Sequence, residues 1–175
     1  PERLEKLVQE HYPEFWDMYV HVRYPIMRCD IGRALILHRY GGLYSDLDVM
    51  PNREWYEQVG FAVTRVAKLK NGHPASSIEI EVLIAAPYNP LLLKWVSYMQ
   101  SKICSFRYKD PTCLYWAWRN RYVLKTTGAK GLAELLSQPS MEDAIADIQF
   151  LECNDLKGCA SEHLKTGEKF HVLSL

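Results

Sequence analysis

Apolar residues recur at helical spacing in several parts of the chain and alternate, as in strands, in others. The pattern predicts helices at 2–10, from 26 up to the Gly41-Gly42 pair, from Pro90 onward, at 112–125 and at 129–137, with another short helix capped by Ser140. Strands are predicted at 43–44, 61–66, 78–86 and 148–153, and a polar loop at 68–74. This alternation, without a repeat, predicts one α/β layer structure with helices around a mainly parallel sheet.

The central stretch, residues 28–51, combines apolar and charged positions in an unusual way. Its helix is apolar on almost every side, which predicts burial, yet it carries Asp30 and Arg33. Three residues apart on a helix, these side chains share a face, and buried charges must pair with each other or meet a polar group or ligand. Gly41-Gly42 then ends the helix, because glycine tolerates the left-handed conformation of a helix terminus.

A D-x-D sequence follows the short strand that comes after these glycines. Asp46 and Asp48 stand at positions i and i+2 around the strand end, where two carboxylates can hold one hard divalent cation that also binds substrate phosphates. An aspartate-rich turn is the alternative interpretation of a bare D-x-D. The buried charges and the double glycine upstream favour the metal site.

These residues resemble the DxD-containing sugar transferases of glycosyltransferase family 32 and the related glucosylating-toxin domains. The matching positions are Asp30, Arg33, Leu37, Tyr40, Gly41, Gly42, Tyr44, Asp46 and Asp48. Upstream, His11-Tyr12-Pro13 and Tyr24-Pro25 are most similar to the fungal-type members that mannosylate sphingolipids or glycans.

The resemblance implies a GT-A-like fold, a mainly parallel sheet flanked by helices with ligands at the carboxyl ends of the strands. Family members have an opening strand and helix ahead of the point where this sequence begins. Either the natural protein has these elements as well, or its domain is a reduced one. We expect 1–175 to form a single glycosyltransferase-like catalytic domain within a longer chain.

The activity implied by the resemblance is metal-dependent transfer of a hexose from GDP- or UDP-hexose to a glycan, lipid or protein hydroxyl, with retention at the anomeric carbon. The implied cofactor is Mn²⁺ or Mg²⁺, which neutralises the diphosphate leaving group. Its expected ligands are Asp46, Asp48 and His163, with His171 as the alternative histidine.

The remaining site residues are also implied by the resemblance. Asp30 is expected to accept hydrogen bonds from sugar hydroxyls and Arg33 to hold phosphate or sugar, so that the expected catalytic set is Asp30, Arg33, Asp46 and Asp48. The expected substrate-binding residues are Tyr44, Gly42, Glu81, Thr127 and Gly128.

Two positions depart from the family pattern. Glu81 stands near a position where Asn is common, and it is either a catalytic carboxylate or an exposed strand residue. Thr127-Gly128 belongs to a loop that closes on the donor site in the family, but Ala129 replaces the usual proline. These departures support the alternative hypothesis of a degenerate binding or scaffold domain without catalysis.

A phosphotransfer enzyme of the haloacid-dehalogenase kind is a further alternative, because that class also places D-x-D after a strand. No suitable acidic pair follows Asp48 downstream, however, and this hypothesis leaves Asp30 and Arg33 unexplained. It is therefore the least favoured of the three.

Composition limits the possible partners, and the family resemblance suggests a compartment. The chain has 175 residues, 48% of them hydrophobic, with 21 basic and 21 acidic residues, so we expect no nucleic acid as the main partner. No run of 18 apolar residues is present, which predicts no transmembrane segment within this sequence. For a eukaryotic source, the resemblance implies the Golgi or another secretory-pathway lumen.

The five cysteines leave two redox states open. Cys29, on the central helix, is predicted to be a small core residue. Cys104 with Cys113 and Cys153 with Cys159 are close enough in sequence to pair in an oxidising compartment, and otherwise all five thiols are free.

Overall fold

The computed structural model describes residues 2–47, 49–51, 60–70, 73–106, 116–152 and 156–157. Its helices are α1 (Glu2–His11), α2 (Pro13–His21), α3 (Pro25–Tyr40), α4 (Pro90–Phe106), α5 (Trp116–Thr126), α6 (Ala129–Leu136) and α7 (Glu142–Ala146), with a 3₁₀ turn at Pro139–Met141. Its strands are β1 (Gly42–Ser45), β2 (Met50–Pro51), β3 (Phe61–Lys70), β4 (His73–Ala85), β5 (Ile148–Glu152) and β6 (Leu156–Lys157). The predicted α/β composition is therefore confirmed.

The main sheet has the strand order β1-β4-β3-β5. β4 runs antiparallel to both β1 and β3, whereas β3 and β5 are parallel. The sheet is therefore mixed, and the prediction of a mainly parallel sheet is wrong. Only residues 71–72 separate β3 from β4, which is too short for the crossover that parallel neighbours require. β1, β3 and β5 nevertheless point in the same direction, because β4 lies between β1 and β3.

Three local predictions are also wrong. The expected polar loop at 68–74 is largely strand, because β3 extends to Lys70 and pairs there with His73. Ser140 does not cap α7, since that helix follows the 3₁₀ turn and has Met141 at its N-cap without a side-chain hydrogen bond. Cys29 is exposed rather than part of the core.

The core lies between the helices and one face of the sheet. Helix α3 contributes Met27, Ile31, Ala34, Leu35 and Leu37, which pack with residues of α1, α2, α4, α6 and the strands. The sequence predicts that this largely apolar helix is buried, and that prediction holds for only part of its surface. Ile26 and Ile36 are 45% and 42% exposed. Asn89 caps α4 as predicted, its side-chain oxygen accepting a hydrogen bond from the Leu91 amide at 2.9 Å.

The C-terminus of α3 is tied to the turn between β4 and α4. Gly41 ends the helix with φ 65°, and its amide donates to the Leu37 carbonyl at 2.8 Å. A Cβ at this position would lie 2.5 Å from Cδ of Pro87. The amide of Tyr88 donates to the His38 carbonyl at 2.6 Å. These contacts fix where β1 begins.

Among the described helices, none is long and apolar enough to cross a membrane.

Candidate functional site

Helix α3 carries a buried ion pair, as its sequence predicts. Asp30 and Arg33 are 3% and 6% exposed, and Nη2 of Arg33 lies 3.1 Å from Oδ1 of Asp30. The predicted shared helix face is confirmed. Because both charges are shielded from water, neighbouring polar groups must stabilise them, and those groups set their orientation.

Arg33 connects this helix to the sheet. Its Nη1 donates to the backbone carbonyl of Ile80 on β4 at 2.9 Å and lies 3.5 Å from Oδ1 of Asp46. The guanidinium also stacks on the Tyr44 ring, with Cζ 4.4 Å from the ring centroid. Its Nε is buried and has no hydrogen-bond partner among the residues that the structure describes. A buried donor without a partner is costly and uncommon in folded proteins.

Asp46 stands directly after β1, at the carboxyl end of that strand. Its amide donates to the Glu81 carbonyl at 2.8 Å, and the Val49 amide donates to the Asp46 carbonyl at 3.1 Å. The hydroxyl of Ser45 closes the same turn by donating to the Val49 carbonyl at 2.7 Å. These hydrogen bonds fix the backbone of Asp46, whose side chain lies at the sheet edge.

The two carboxylate oxygens of Asp46 have different environments. Oδ1 accepts a hydrogen bond from the Tyr44 hydroxyl at 2.6 Å and faces Arg33, whereas Oδ2 has no partner among the residues that the structure describes. The side chain is 38% exposed. Burial, together with this hydrogen bond to Asp46, raises the pKa of Tyr44, which therefore stays protonated and acts as a donor.

Thr127 joins the cluster from the corner between α5 and α6. Its hydroxyl donates to Oδ2 of Asp30 at 2.7 Å, across 97 residues of sequence. Burial raises the pKa of Asp30, whereas Arg33 and this hydrogen bond act in the opposite direction. We call Asp30, Arg33, Tyr44, Asp46 and Thr127 the charged cluster.

Several other predicted site residues lie elsewhere. Gly42 is at the opposite end of β1, four residues and roughly 13 Å of strand from Asp46. Glu81 is half-buried and borders the charged cluster through its backbone carbonyl. Gly128 is buried beside Thr127. Their binding roles remain predictions, and Asp48, His163 and His171 lie outside the described residues.

The sequence prediction missed two contributors to the site. The carbonyl of Ile80 holds Arg33, but a backbone acceptor has no sequence signal. Ser45 closes the turn that presents Asp46, and a serine next to an aspartate after a strand is a recognisable turn signal.

The donor chemistry of Asp46 suits a hard divalent cation, because its outward carboxylate oxygen is the kind of ligand that Mg²⁺ and Mn²⁺ prefer. Within the described ranges, no three His, Cys, Asp or Glu side chains come together as a metal site. Asp46 is thus the one predicted metal ligand whose position the structure gives.

The two larger of the grooves found along α4 in the described part of the chain include no residue of the charged cluster. The first, about 430 Å³, is at the start of β3, and the second, about 620 Å³, lies between α4 and the end of α6. Phe61 in the first groove pairs with Ala85, which also pairs with Gly42, so this groove is at the sheet end opposite Asp46.

Comparison with known families confirms the resemblance predicted from the sequence. Residues 2–64 match the family described as the glycosyltransferase sugar-binding region containing DXD motif. This match contains α1 to α3, β1 and Asp46, and therefore four of the five residues of the charged cluster. Thr127 lies outside it.

Similar curated proteins are fungal mannosyltransferases. The chain is 34% identical over 89 residues to mannosyl phosphorylinositol ceramide synthase SUR1 of Saccharomyces cerevisiae, covering 51% of this chain and 22% of that protein. It is 42% identical over 52 residues to inositol phosphoceramide mannosyltransferase 3 of Schizosaccharomyces pombe, covering 30% and 15%. A further S. cerevisiae relative, mannosyl phosphorylinositol ceramide synthase CSH1, is 29% identical over 93 residues, covering 53% and 23%. The chain thus spans less than a quarter of each relative's length.

Proposed function

Because residues 2–64 match a DXD-containing glycosyltransferase sugar-binding region, we propose that this protein transfers mannose from a nucleotide sugar to a hydroxyl of a lipid headgroup. The observation that carries the proposal is the convergence of Asp30, Arg33 and Asp46 at the carboxyl end of β1. In open α/β sheets, ligands bind at this edge. The common direction of β1, β3 and β5 supports a GT-A-like arrangement.

The charged cluster forms the proposed donor site. Tyr44 and Arg33 contact the same oxygen of Asp46, which fixes the carboxylate. The other oxygen has no partner in the described part of the chain, and we propose that it binds a ligand. Arg33 is itself held by Asp30 and by the Ile80 carbonyl, so its orientation is set before a donor arrives. Preorganised charges of this kind need little rearrangement on binding.

Divalent metal is common to DXD glycosyltransferases, and we propose Mn²⁺ or Mg²⁺ here. Asp46 would hold it together with Asp48, and His163 is the third predicted ligand. When bound, the cation supplies neutralising charge to the diphosphate leaving group. Arg33 would add a fixed positive charge next to Asp46, and Asp30 holds the guanidinium in place.

The names of the relatives suggest the acceptor. They act on inositol phosphoceramide or make its mannosyl derivative, so we propose a lipid with a phosphoinositol headgroup as the acceptor. We further propose a GDP- or UDP-linked donor, retention at the anomeric carbon and a secretory-pathway location, in line with the family resemblance.

A transfer assay with the full natural chain tests the proposal. GDP-mannose and inositol phosphoceramide in vesicles are expected to give a mannosylated lipid by mass spectrometry, with UDP-hexoses as comparison donors and activity lost on chelation. Asp46→Asn is expected to lower transfer at least about 100-fold, since it removes an anionic oxygen ligand. Asp143→Asn, at an exposed carboxylate of α7, is the matched control and is expected to keep wild-type activity.

Asp48→Asn supplies a second arm of the test. It is expected to abolish metal-dependent donor hydrolysis and to leave metal-free thermal stability unchanged or raised, since two close carboxylates repel each other without the cation. No transfer with any donor, combined with no Mn²⁺ binding by calorimetry, would reject the proposal in favour of a degenerate binding domain.

A further inference from the structure

The hydrogen bond between Thr127 and Asp30 links two parts of the chain that the family match separates. Asp30 lies in the matched region 2–64, whereas Thr127 follows α5 in the second half of the chain. Their side chains are fully enclosed, with Asp30 3% and Thr127 0% exposed. The contact is short, 2.7 Å, as expected for a hydroxyl that donates to a carboxylate.

The backbone around Thr127 cannot shift easily. The amides of Thr127 and Gly128 both donate to the Val123 carbonyl, at 3.0 and 2.9 Å. A Cβ at Gly128 would lie 2.9 Å from Cα of Leu124, so the corner between α5 and α6 is closely packed at this point. The hydroxyl of Thr127 is therefore presented from a rigid corner.

Each oxygen of Asp30 consequently has its own partner. Oδ2 accepts from Thr127, and Oδ1 faces Nη2 of Arg33. Rotation of the carboxylate would break both contacts at once. Since Nη1 of Arg33 reaches the Ile80 carbonyl and Asp46, the orientation of Asp30 also determines how Arg33 meets β1 and β4.

We propose that Thr127 is a positioning residue for the donor site, acting through Asp30 rather than by touching the donor. Its hydroxyl holds the Asp30 carboxylate in the orientation that places Arg33 beside Asp46. This inference rests on the proposed function and deepens it, because it gives the second half of the chain a defined part in the sugar-binding region.

The neighbouring Thr126 provides a matched control. It is equally buried, at 0% exposure, but its hydroxyl donates to carbonyls of its own helix, those of Tyr122 at 2.8 Å and Val123 at 3.3 Å. Replacement of either threonine by valine removes one buried hydroxyl and preserves the β-branched shape. Only the change at Thr127 removes a partner of Asp30.

The experiment compares Thr127→Val, Thr127→Ser and Thr126→Val in the full chain. Mannosyl transfer by Thr127→Val is expected to fall about ten- to a hundredfold, the equivalent of one hydrogen bond to a charged group, with the loss in kcat at saturating donor. Thr127→Ser keeps the hydroxyl and is expected to stay within about threefold of wild type, as is Thr126→Val. Should Thr127→Val not fold, Thr127→Cys, with its weak thiol donor, replaces it.

A second readout does not require activity. The carboxyl ¹³C resonance of Asp30, followed against pH in the metal-free protein, reports its protonation. In the part of the chain that the structure describes, the charged and polar groups that face Asp30 are Arg33 on its own helix, Asp46 after β1 and Thr127. Loss of the Thr127 hydroxyl is expected to raise the pKa of Asp30, because a hydrogen bond to the carboxylate favours the ionised form, whereas Thr126→Val leaves it unchanged.

The outcomes separate this inference from the proposed function. If wild type transfers mannose but Thr127→Val retains both its rate and its Asp30 titration, Thr127 does not position Asp30. Equal losses in both valine variants with an unmoved titration likewise overturn the inference, since they indicate packing alone. If wild type transfers nothing, the proposed function fails and the titration decides: a rise in Thr127→Val alone upholds the contact, and no rise rejects it.

Discussion

Helix α3 buries two polar clusters, and they differ in charge and in their connections. Towards its middle, Asp30 and Arg33 form an ion pair that contacts β1, β4 and the α5–α6 corner. Towards its end, the Tyr12 hydroxyl lies 2.7 Å from Nδ1 of His38 and 3.4 Å from the Leu35 carbonyl. We call this second group, Tyr12 and His38, the neutral pair.

The electrostatics of the two clusters explain the difference. Burial, aided by Arg39, lowers the pKa of His38, and burial raises the pKa of Tyr12 to about 12, so both side chains are uncharged near neutral pH. Two neutral groups that share a hydrogen bond can be buried at little cost. The ion pair must overcome the desolvation of two charges, and it lies beside the partly exposed Asp46 at the sheet edge. The neutral pair links α3 to Tyr12, between α1 and α2, whereas the charged cluster forms the donor site that we propose.

The largest expected effect comes from breaking the ion pair. Asp30→Ala leaves Arg33 buried without its nearest carboxylate, which is expected to lower the free energy of unfolding by about 3–5 kcal/mol. Urea denaturation measures this loss, with Asp143→Ala on the exposed face of α7 as the control. Donor turnover is expected to fall as well. A destabilised variant that still turns over donor at the wild-type rate, when kept folded in the cold, would remove Asp30 from the donor site.

An intermediate effect is expected at the neutral pair. Tyr12→Phe leaves the buried Nδ1 of His38 without this partner, which is expected to lower the free energy of unfolding by about 1–2 kcal/mol. Mannosyl transfer should remain at the wild-type rate, because the pair does not contact the charged cluster. Tyr40→Phe, at a 64% exposed tyrosine of the same helix, is the control. A loss of transfer in Tyr12→Phe that exceeds its loss of folded protein contradicts the distinction between the clusters.

The smallest effect, and the sharpest contrast, is in the pH dependence of stability. The folded-state pKa of Asp30 is raised above the ordinary value of 3.8, so its favourable contribution is present below that pH and is lost as pH rises through the folded value. The folded-state pKa of His38 is lowered from 6.5, so its contribution is present above 6.5 and is lost as pH falls through the folded value.

Denaturation of wild type, Asp30→Asn and His38→Gln between about pH 4 and 8 measures this contrast. As pH falls, wild type is expected to gain stability relative to Asp30→Asn and to lose it relative to His38→Gln. Two differences that change in the same direction would show that the clusters do not differ in the way described.

The sequence predicts the local parts of this site well and the distant parts poorly. The pairing of Asp30 with Arg33 follows from helical spacing, and the helix end at Gly41 follows from the backbone freedom of glycine. The place of Asp46 after a strand follows from the alternation pattern. Each depends on neighbours within a few residues.

The features of the fold and site that the sequence did not predict include several that depend on contacts across the fold. The insertion of β4 between β1 and β3 is a matter of strand order, which alternation does not encode. The contact of Thr127 with Asp30 spans 97 residues, and only the family resemblance drew attention to Thr127. The exposure of Cys29 and Ile36 reflects which side of α3 the described elements leave uncovered.

The close approach of Gly41 to Pro87 bears on the accuracy with which the D-x-D aspartate is placed. β1 has four residues, too few to define its own alignment against β4 by side-chain pattern alone. A slip by one residue would carry Asp46 about 3.3 Å along the sheet and turn Tyr44 to the opposite face, away from Arg33. The close approach of Gly41 to Pro87, two residues past the end of β4, fixes the start of β1 relative to β4. A side chain at position 41 would therefore misalign the carboxylate five residues further on without touching it.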